Sequence, residues 1–469
     1  MSKNTFSFKI GKKFKLRDLN LISEINLNQL SYSHKFDLKK YFPKIKETID
    51  LKGHKIKFIT NKSEFKIEGS GDLILQNNKD KITYIIDKKK YNYIFKVLID
   101  ILNNPILMKT IKYSKKDSSN AKFNLEGIYK KDKSLQFKTI NFKENINEIK
   151  IKDLILNKNL RISKLDEINL SFKNNDSNSN DLKIKRQNKD YLIKGEIFDA
   201  DELINIILNS DNNDGLSKLL DIDETKININ IKKVFLDKDN YVNQLNGQFL
   251  IKKSDIKKMN LNSFYSTNEK LTLSINQLDD KKITTLFSAR AKPFVKKYKF
   301  VKGFEEGSLD FYSIKENKKS ISKLKIYDFK LQELPALTKL LTLASLQGIA
   351  DLLSGEGIRF TEFEMNFTNE GSLMTIDEIY SIGPAISLLM EGYVEKNKII
   401  SLRGTLVPAT TINKAIGSIP LLGNILVGKK AGEGVFGVSF KIKGPPKKLE
   451  TSVNPIKTLT PRFITRTLE

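Results

Sequence analysis

Residues 418–434 read SIPLLGNILVGKKAGEG and place Gly423, Gly428 and Lys429 at the spacing of a phosphate-binding loop, G-x-x-x-x-G-K. Such a loop cradles phosphates with its backbone amides, and the Ser or Thr after its lysine holds magnesium. Here that residue is Lys430, and the loop interior, Asn424-Ile425-Leu426-Val427, is mostly apolar. The stretch also runs from a helical pattern, TTINKAIGS, through Pro420 into a strand pattern, VFGVSFKIKG. A phosphate loop runs the other way, from strand to helix, so the match is one of spacing alone. The two histidines, His34 and His54, form no H-x-x-x-H or H-E-x-x-H pair, and with no cysteine there is neither a thiolate zinc site nor a disulfide. The Gly-Ser neighbourhoods EGSGD, EGSLD, EGSLM and IGSIP lack the G-x-S-x-G elbow, and Glu305-Glu306 and Asp279-Asp280 sit beside turn signals. The residues point away from an enzyme, and no metal or cofactor is expected.

With 39% hydrophobic and 29% charged residues the chain is too apolar for wholesale disorder and should fold. A net charge of +27 raises nucleic acid or an anionic membrane as a partner. The cations are nearly all lysine, however, scattered among acidic residues, whereas base readout and phosphate clamping favour the arginine fork. A solvated face is the expectation, and no nucleic acid. No apolar stretch has the length of a signal-peptide core or of a membrane span. Phe6, Phe8 and Ile10 already alternate as in a strand, as though the reading frame opened inside a larger protein.

The elements that must position any site are strands. Period-two alternation recurs between turns rich in Asn, Asp, Lys and Gly. The clearest runs are Ile168, Leu170, Phe172; Ile227, Ile229, Ile231; Leu271, Leu273, Ile275; and Phe436, Val438, Phe440, Ile442. The residues between them are mostly polar, which predicts one-sided antiparallel sheets. Helices are expected only over 91–103, 199–221, 334–354 and 411–417, too few to cover so many strands. The sheets must therefore fold on each other or curl around a cavity that something else fills. In the helix over 334–354, Leu337, Leu340, Leu341, Ile349, Leu352 and Leu353 leave only a narrow polar stripe. Core packing is its first reading, and docking at a membrane surface or plugging a cavity its second. The polar run FKNNDSNSNDLKIKRQNKD (172–190) reads as an exposed loop or linker.

The last third carries a dense series of landmarks: LPALTKLLTLASLQGIADLLSGEGIRF (334–360), GPAISLLMEGYV (383–394), LRGTLVPATTINKAIGSIPLLGNILVG (402–428), GEGVFGVSFKIKGP (432–445) and VNPIKTLTPRF (453–463). In this order they resemble the C-terminal region of the AsmA-like superfamily, in the branch related to YhdP. The resemblance covers residues 290–469, with LIKGEIFDADELINIIL (192–208) similar to a strand-then-helix segment of the same proteins. It implies two regions: 1–289, repeated antiparallel segments of a β-groove, and 290–469, the AsmA-like region. Gly404, Pro408, Pro420, Gly423, Gly434, Asn454, Pro455 and Pro461 would be the family's turn positions. The implied fold is mainly β, an elongated, curled antiparallel sheet with an open apolar groove and a few short helices. The implied function is bridge-like transfer of phospholipid between inner and outer membranes, with acyl chains as the missing cover of the strands. At ~4.8 Å per strand, about 25–30 strands would make a groove on the order of 100 Å long. The resemblance also implies the periplasmic face of the inner membrane, reached through an N-terminal anchor that this chain lacks or through a partner, as in a truncated frame. The rival readings are an envelope scaffold or assembly factor that moves no lipid, and lysine-mediated nucleic-acid binding.

Overall fold

The computed structural model describes residues 2–10, 16–33, 38–61, 64–102, 104–117, 119–204, 224–252, 255–296, 302–333, 357–408, 438–446 and 448–454. The chain divides into two compact units, Met1–Ile256 and Lys257–Glu469.

In the first unit the strands are β1 (Ser2–Ile10), β2 (Leu16–Ser33), β3 (Thr48–Asn61), β4 (Glu64–Ile74), β5 (Asp80–Lys89), β6 (Asn92–Ile101), β7 (Ile106–Met108), β8 (Tyr113–Lys115) and β9 (Ala121–Lys130). They continue with β10 (Ser134–Glu144), β11 (Asn147–Asn157), β12 (Ile162–Lys164), β13 (Glu167–Lys173), β14 (Ser179–Gln187), β15 (Asp190–Asp199), β16 (Glu224–Phe235) and β17 (Tyr241–Lys252). The second unit holds all but the first two residues of β18 (Asp255–Ser266), then β19 (Glu269–Leu278), β20 (Lys281–Ser288), β21 (Lys302–Glu316), β22 (Lys319–Glu333), β23 (Ile358–Glu370), β24 (Leu373–Ile382), β25 (Ile386–Glu395), β26 (Ile399–Pro408), β27 (Val438–Gly444) and β28 (Glu450–Asn454). The described chain is thus mainly β, as expected, and its helices are short: Lys292–Val295, a 3-10 turn at Lys109–Ile111 and a turn at 201–204.

Local chemistry explains the meander. Two-residue hairpin loops need positive φ, and Asn145, Asn188, Asp279 and Asn317 supply it, opening the turns after β10, β14, β19 and β21. Among the described pairings, all are antiparallel except where β15 meets β16 in parallel. A parallel partner needs a long crossover, which residues 200–223 provide in length. Bulges between Lys52 and Lys55, Phe137 and Thr139, and Ile376 and Ile379 bend the strands and add twist, the means by which an open sheet curls. Neither unit closes into a barrel among the described residues, where β1 pairs only with β2 and β28 only with β27.

Three expectations need correction. The helix expected over 91–103 is β6, hydrogen-bonded between β5 and β9. Its Tyr93, Ile94, Phe95, Val97, Ile99 and Ile101 are β-branched or aromatic, which suits a half-buried pleated surface better than a helix. The linker expected over 172–190 narrows to the turn 174–178, because Leu182 and Ile184 alternate within an otherwise polar β14. Gly404 is not a turn residue; it lies inside β26, where a Cβ would stand 2.2 Å from the Leu389 carbonyl oxygen. It serves close packing of neighbouring strands. Pro408 ends β26 and Asn454 ends β28. Of the helix expected over 199–221, Asp199 instead ends β15, the turn at 201–204 is described, and 205–221 lie outside the described residues, as do all of 334–354 and 411–417 and Phe436, Pro420, Gly423, Gly434, Pro455 and Pro461.

Candidate functional site

Within each unit, the strands stack their apolar positions in register. In the first, Ile25 on β2 faces Ile56, Ile56 faces Gly69, Gly69 faces Tyr84 and Tyr84 faces Val97. The row continues through Leu125, Ile140 and Ile151 to Ile168. It then passes through Ile184, Ile193 and Ile229 to Gly247 on β17. Thirteen strands at ~4.8 Å make this row about 60 Å long. Gly69 leaves room for the Tyr84 ring, whose far end would have to shift to admit a Cβ there.

The second unit repeats the device. Leu261 faces Leu273, which faces Leu286, which faces Phe311, which faces Leu324. The row goes on through Met365, Ile379, Met390, Gly404 and Phe440 to Val453 on β28. Most of these side chains are half-buried rather than sealed; Ile168, Ile229, Leu273 and Leu324 all keep part of their surface open. Two serines on the same face, Ser313 and Ser322, bond each other at 2.8 Å, which satisfies one hydroxyl with the other.

The residues expected to line a groove fall on these faces. Ile168, Ile229, Leu273 and Phe440 lie in the rows themselves. Beside them, Leu170 sits between Ile149 and Leu182, Ile227 between Tyr191 and Phe249, and Ile231 between Gly195 and Leu245. Ile275 sits between Met259 and Thr284, Leu271 between Ser263 and Ser288, Val438 opposite Leu406, and Ile442 between Leu402 and Thr451. Phe172 is buried with Ile101, Ile106, Tyr113, Ala121 and Phe142.

The opposite face carries charge in alternation. Glu24 faces Lys57, which faces Glu68, and further along Lys96 faces Glu126 and Lys152 faces Glu167. Ion pairs close at 2.6 Å for Lys96–Glu126 and 2.8 Å for Lys152–Glu167, and Lys152 and Asn169 hold the Glu167 carboxyl down at about 2. In the second unit Glu364 lies 2.7 Å from Lys323 and 3.0 Å from Lys325. Desolvation would raise the Glu364 carboxyl, but the bonds from Lys323, Asn366 and Lys325 outweigh it and bring it to about 2.

Sequence reasoning missed a polar clamp over one end of the first unit's apolar face. The β7–β8 hairpin folds back so that buried Lys115 donates to the carbonyls of Leu102 (2.9 Å), Asn104 (2.7 Å) and Lys116 (3.1 Å), and burial lowers its pKa. Asn104 donates to Asp80 at 2.8 Å, whose carboxyl burial raises, and Tyr113 donates to Glu144, its phenol pushed up by burial and by that carboxylate. Lys112 reaches Asp201 at 2.5 Å and Asp176 at 2.9 Å; burial would lower its pKa, but those carboxylates raise it instead. No motif marks this clamp in the sequence, because its bonded partners lie up to 89 positions apart.

No family model, no curated protein and no solved structure matches this chain. Among the described residues, no helix is long and apolar enough to cross a membrane. What the geometry defines is a class: open, one-sided antiparallel sheets whose apolar positions align strand after strand.

Proposed function

We propose that the chain is a non-enzymatic lipid-handling protein whose apolar rows hold phospholipid acyl chains and conduct them across the strands. The observation that supports this most is the continuity of the rows: every strand from β18 to β28 contributes an apolar residue or glycine, with no charge interposed. An acyl chain of about half a bilayer core, ~15 Å, covers about three strand spacings, so a row offers several successive resting places of similar chemistry. Lateral movement then exchanges one apolar contact for another, and each chain's burial in place of water is favoured at ~25 cal/mol per Å². Headgroups would remain in water at the rim. The resemblance to the AsmA-like superfamily points the same way, and with it to phospholipid transfer at the periplasmic face of the inner membrane, serving outer-membrane biogenesis.

A charge on the row should act as a barrier, because an unpaired carboxylate among acyl chains is costly. Leu324→Glu should cut phospholipid transfer between donor and acceptor vesicles at least tenfold with an unchanged far-UV circular dichroism spectrum. Asn262→Lys, on the polar face, should leave transfer intact. Equal effects of the two substitutions, or purified protein free of phospholipid, would refute the proposal.

A further inference from the structure

The two ends of the first unit's strands differ in charge. At one end the tips of neighbouring strands stand in register: Lys89 faces Asn92, Asn92 faces Lys130, Lys130 faces Ser134 and Ser134 faces Asn157. The three turns carried there read KKKY (88–91), KKDK (130–133) and NKNLR (157–161), with Asp132 as their one carboxylate. Two strand spacings, about 10 Å, separate each turn from the next, and at one Debye length their cations act jointly on a facing surface. Among the described residues Lys89, Lys90, Lys130, Lys131 and Lys158 close no ion pair, whereas at the opposite end Lys44, Lys79 and Lys112 pair with Asp117, Asp72 and Asp176. The same turns carry apolar tips, for Tyr91 is 86% and Leu160 53% exposed. One step further in, on the apolar face, Phe65, Tyr93 and Tyr129 form a row with ring centroids 6.3 and 6.0 Å apart, and the Lys88 ammonium stands 5.6 Å from the Phe65 ring. Unpaired lysines set among tyrosine and leucine tips suit a lipid–water interface, where the rings sit at headgroup level and the ammoniums meet phosphates.

We propose that this rim, built from the turns after β5, β9 and β11, docks on the surface of a bilayer that carries anionic phospholipid. Its lysines would face the phosphates while Tyr91 and Leu160 enter the headgroup layer. Charge complementarity names the occupant, and the apolar tips separate it from nucleic acid. All the cations of the three turns except Arg161 are lysines, point charges that meet a plane of phosphates without the fork that reads bases, and a nucleic acid would leave Leu160 in water. The inference concerns the rim alone and would stand if the apolar rows conducted no lipid.

The full chain is sedimented with vesicles of phosphatidylcholine alone and of an equimolar mixture with phosphatidylglycerol. The mixed vesicles should bind it far more tightly, and salt should weaken that binding. Lys89→Gln, Lys131→Gln and Lys158→Gln together should reduce affinity for the mixed vesicles about a hundredfold, or about fivefold per lysine, with an unchanged far-UV circular dichroism spectrum. Lys39→Gln, Lys109→Gln and Lys238→Gln, which remove the same charge from the opposite end of the strands, should cost much less. The chain has no tryptophan, so Tyr91→Trp places a single reporter at the rim and Ile146→Trp one at the opposite end. Mixed vesicles should shift the emission of Tyr91→Trp to the blue and leave that of Ile146→Trp unchanged. No binding to the mixed vesicles, equal losses from the two lysine sets, or a shift in Ile146→Trp in place of Tyr91→Trp would overturn the proposal. So would a single-stranded oligonucleotide that displaces the mixed vesicles and loses its own binding with the rim lysines, since it would assign the rim to nucleic acid.

Discussion

Glu364 on β23 shows how the polar face is held together by single residues. Its carboxyl, near 2 when folded against an ordinary value of 4.5, is stabilised as the anion by Lys323 and Lys325. A carboxylate depressed in this way contributes its stability above about pH 4.5 and loses it as pH falls toward 2. The full shift would correspond to ~3 kcal/mol, but Lys323 is 44% exposed, and solvent screening leaves about 1–2 kcal/mol. Glu364→Gln should therefore lower the urea midpoint at pH 6 and change it far less at pH 2.5. Parallel losses at both pH values would show that the residue acts through packing instead. The same sign applies to Glu167 and its partner Lys152 in the first unit.

Among the elements, β6 is the sharpest test of the strand assignment, since its sequence, NYIFKVLIDI, has the length and apolar content of a short helix. Between β5 and β9 it can spare few donors from its ladders. Val97→Pro should remove one ladder bond and distort the row, costing about 3 kcal/mol or more and lowering the thermal midpoint of the first unit. A variant as stable as the parent would contradict the central position of β6. This element also marks the limit of what sequence reveals here. Runs such as Ile227, Ile229, Ile231 declare a strand because the residues between them are polar, whereas in β6 Ile94 and Leu98 sit among the polar residues of the charged face and blur the alternation, so periodicity cannot separate strand from helix. β14 was obscured for the opposite reason: Asn and Ser precede its short alternation of Leu182 and Ile184. The clamp around Lys115 and Lys112 was not legible at all, because long-range pairing of β7 and β8 with distant turns assembles it.

At the scale of the whole molecule, the apolar faces were legible as one-sided alternation, and candidates such as Ile168, Ile229, Leu273 and Phe440 lie in the rows. The register was not legible. Which apolar residue meets which depends on loop lengths and bulges, and a slip of one residue would turn every side chain to the other face. Continuity across the strands is thus a property of the structure, and the proposed function rests on it. The most direct test places a photo-activated crosslinking amino acid at Ile168, Ile229, Leu324 or Phe440, and separately at Lys185 or Lys323 on the polar side, and analyses the adducts by mass spectrometry. Phospholipid adducts should form at the four row positions and be absent from the two lysine positions. Adducts to protein alone at the row positions, as an envelope scaffold would give, or lipid adducts equally abundant on both faces, would contradict the account.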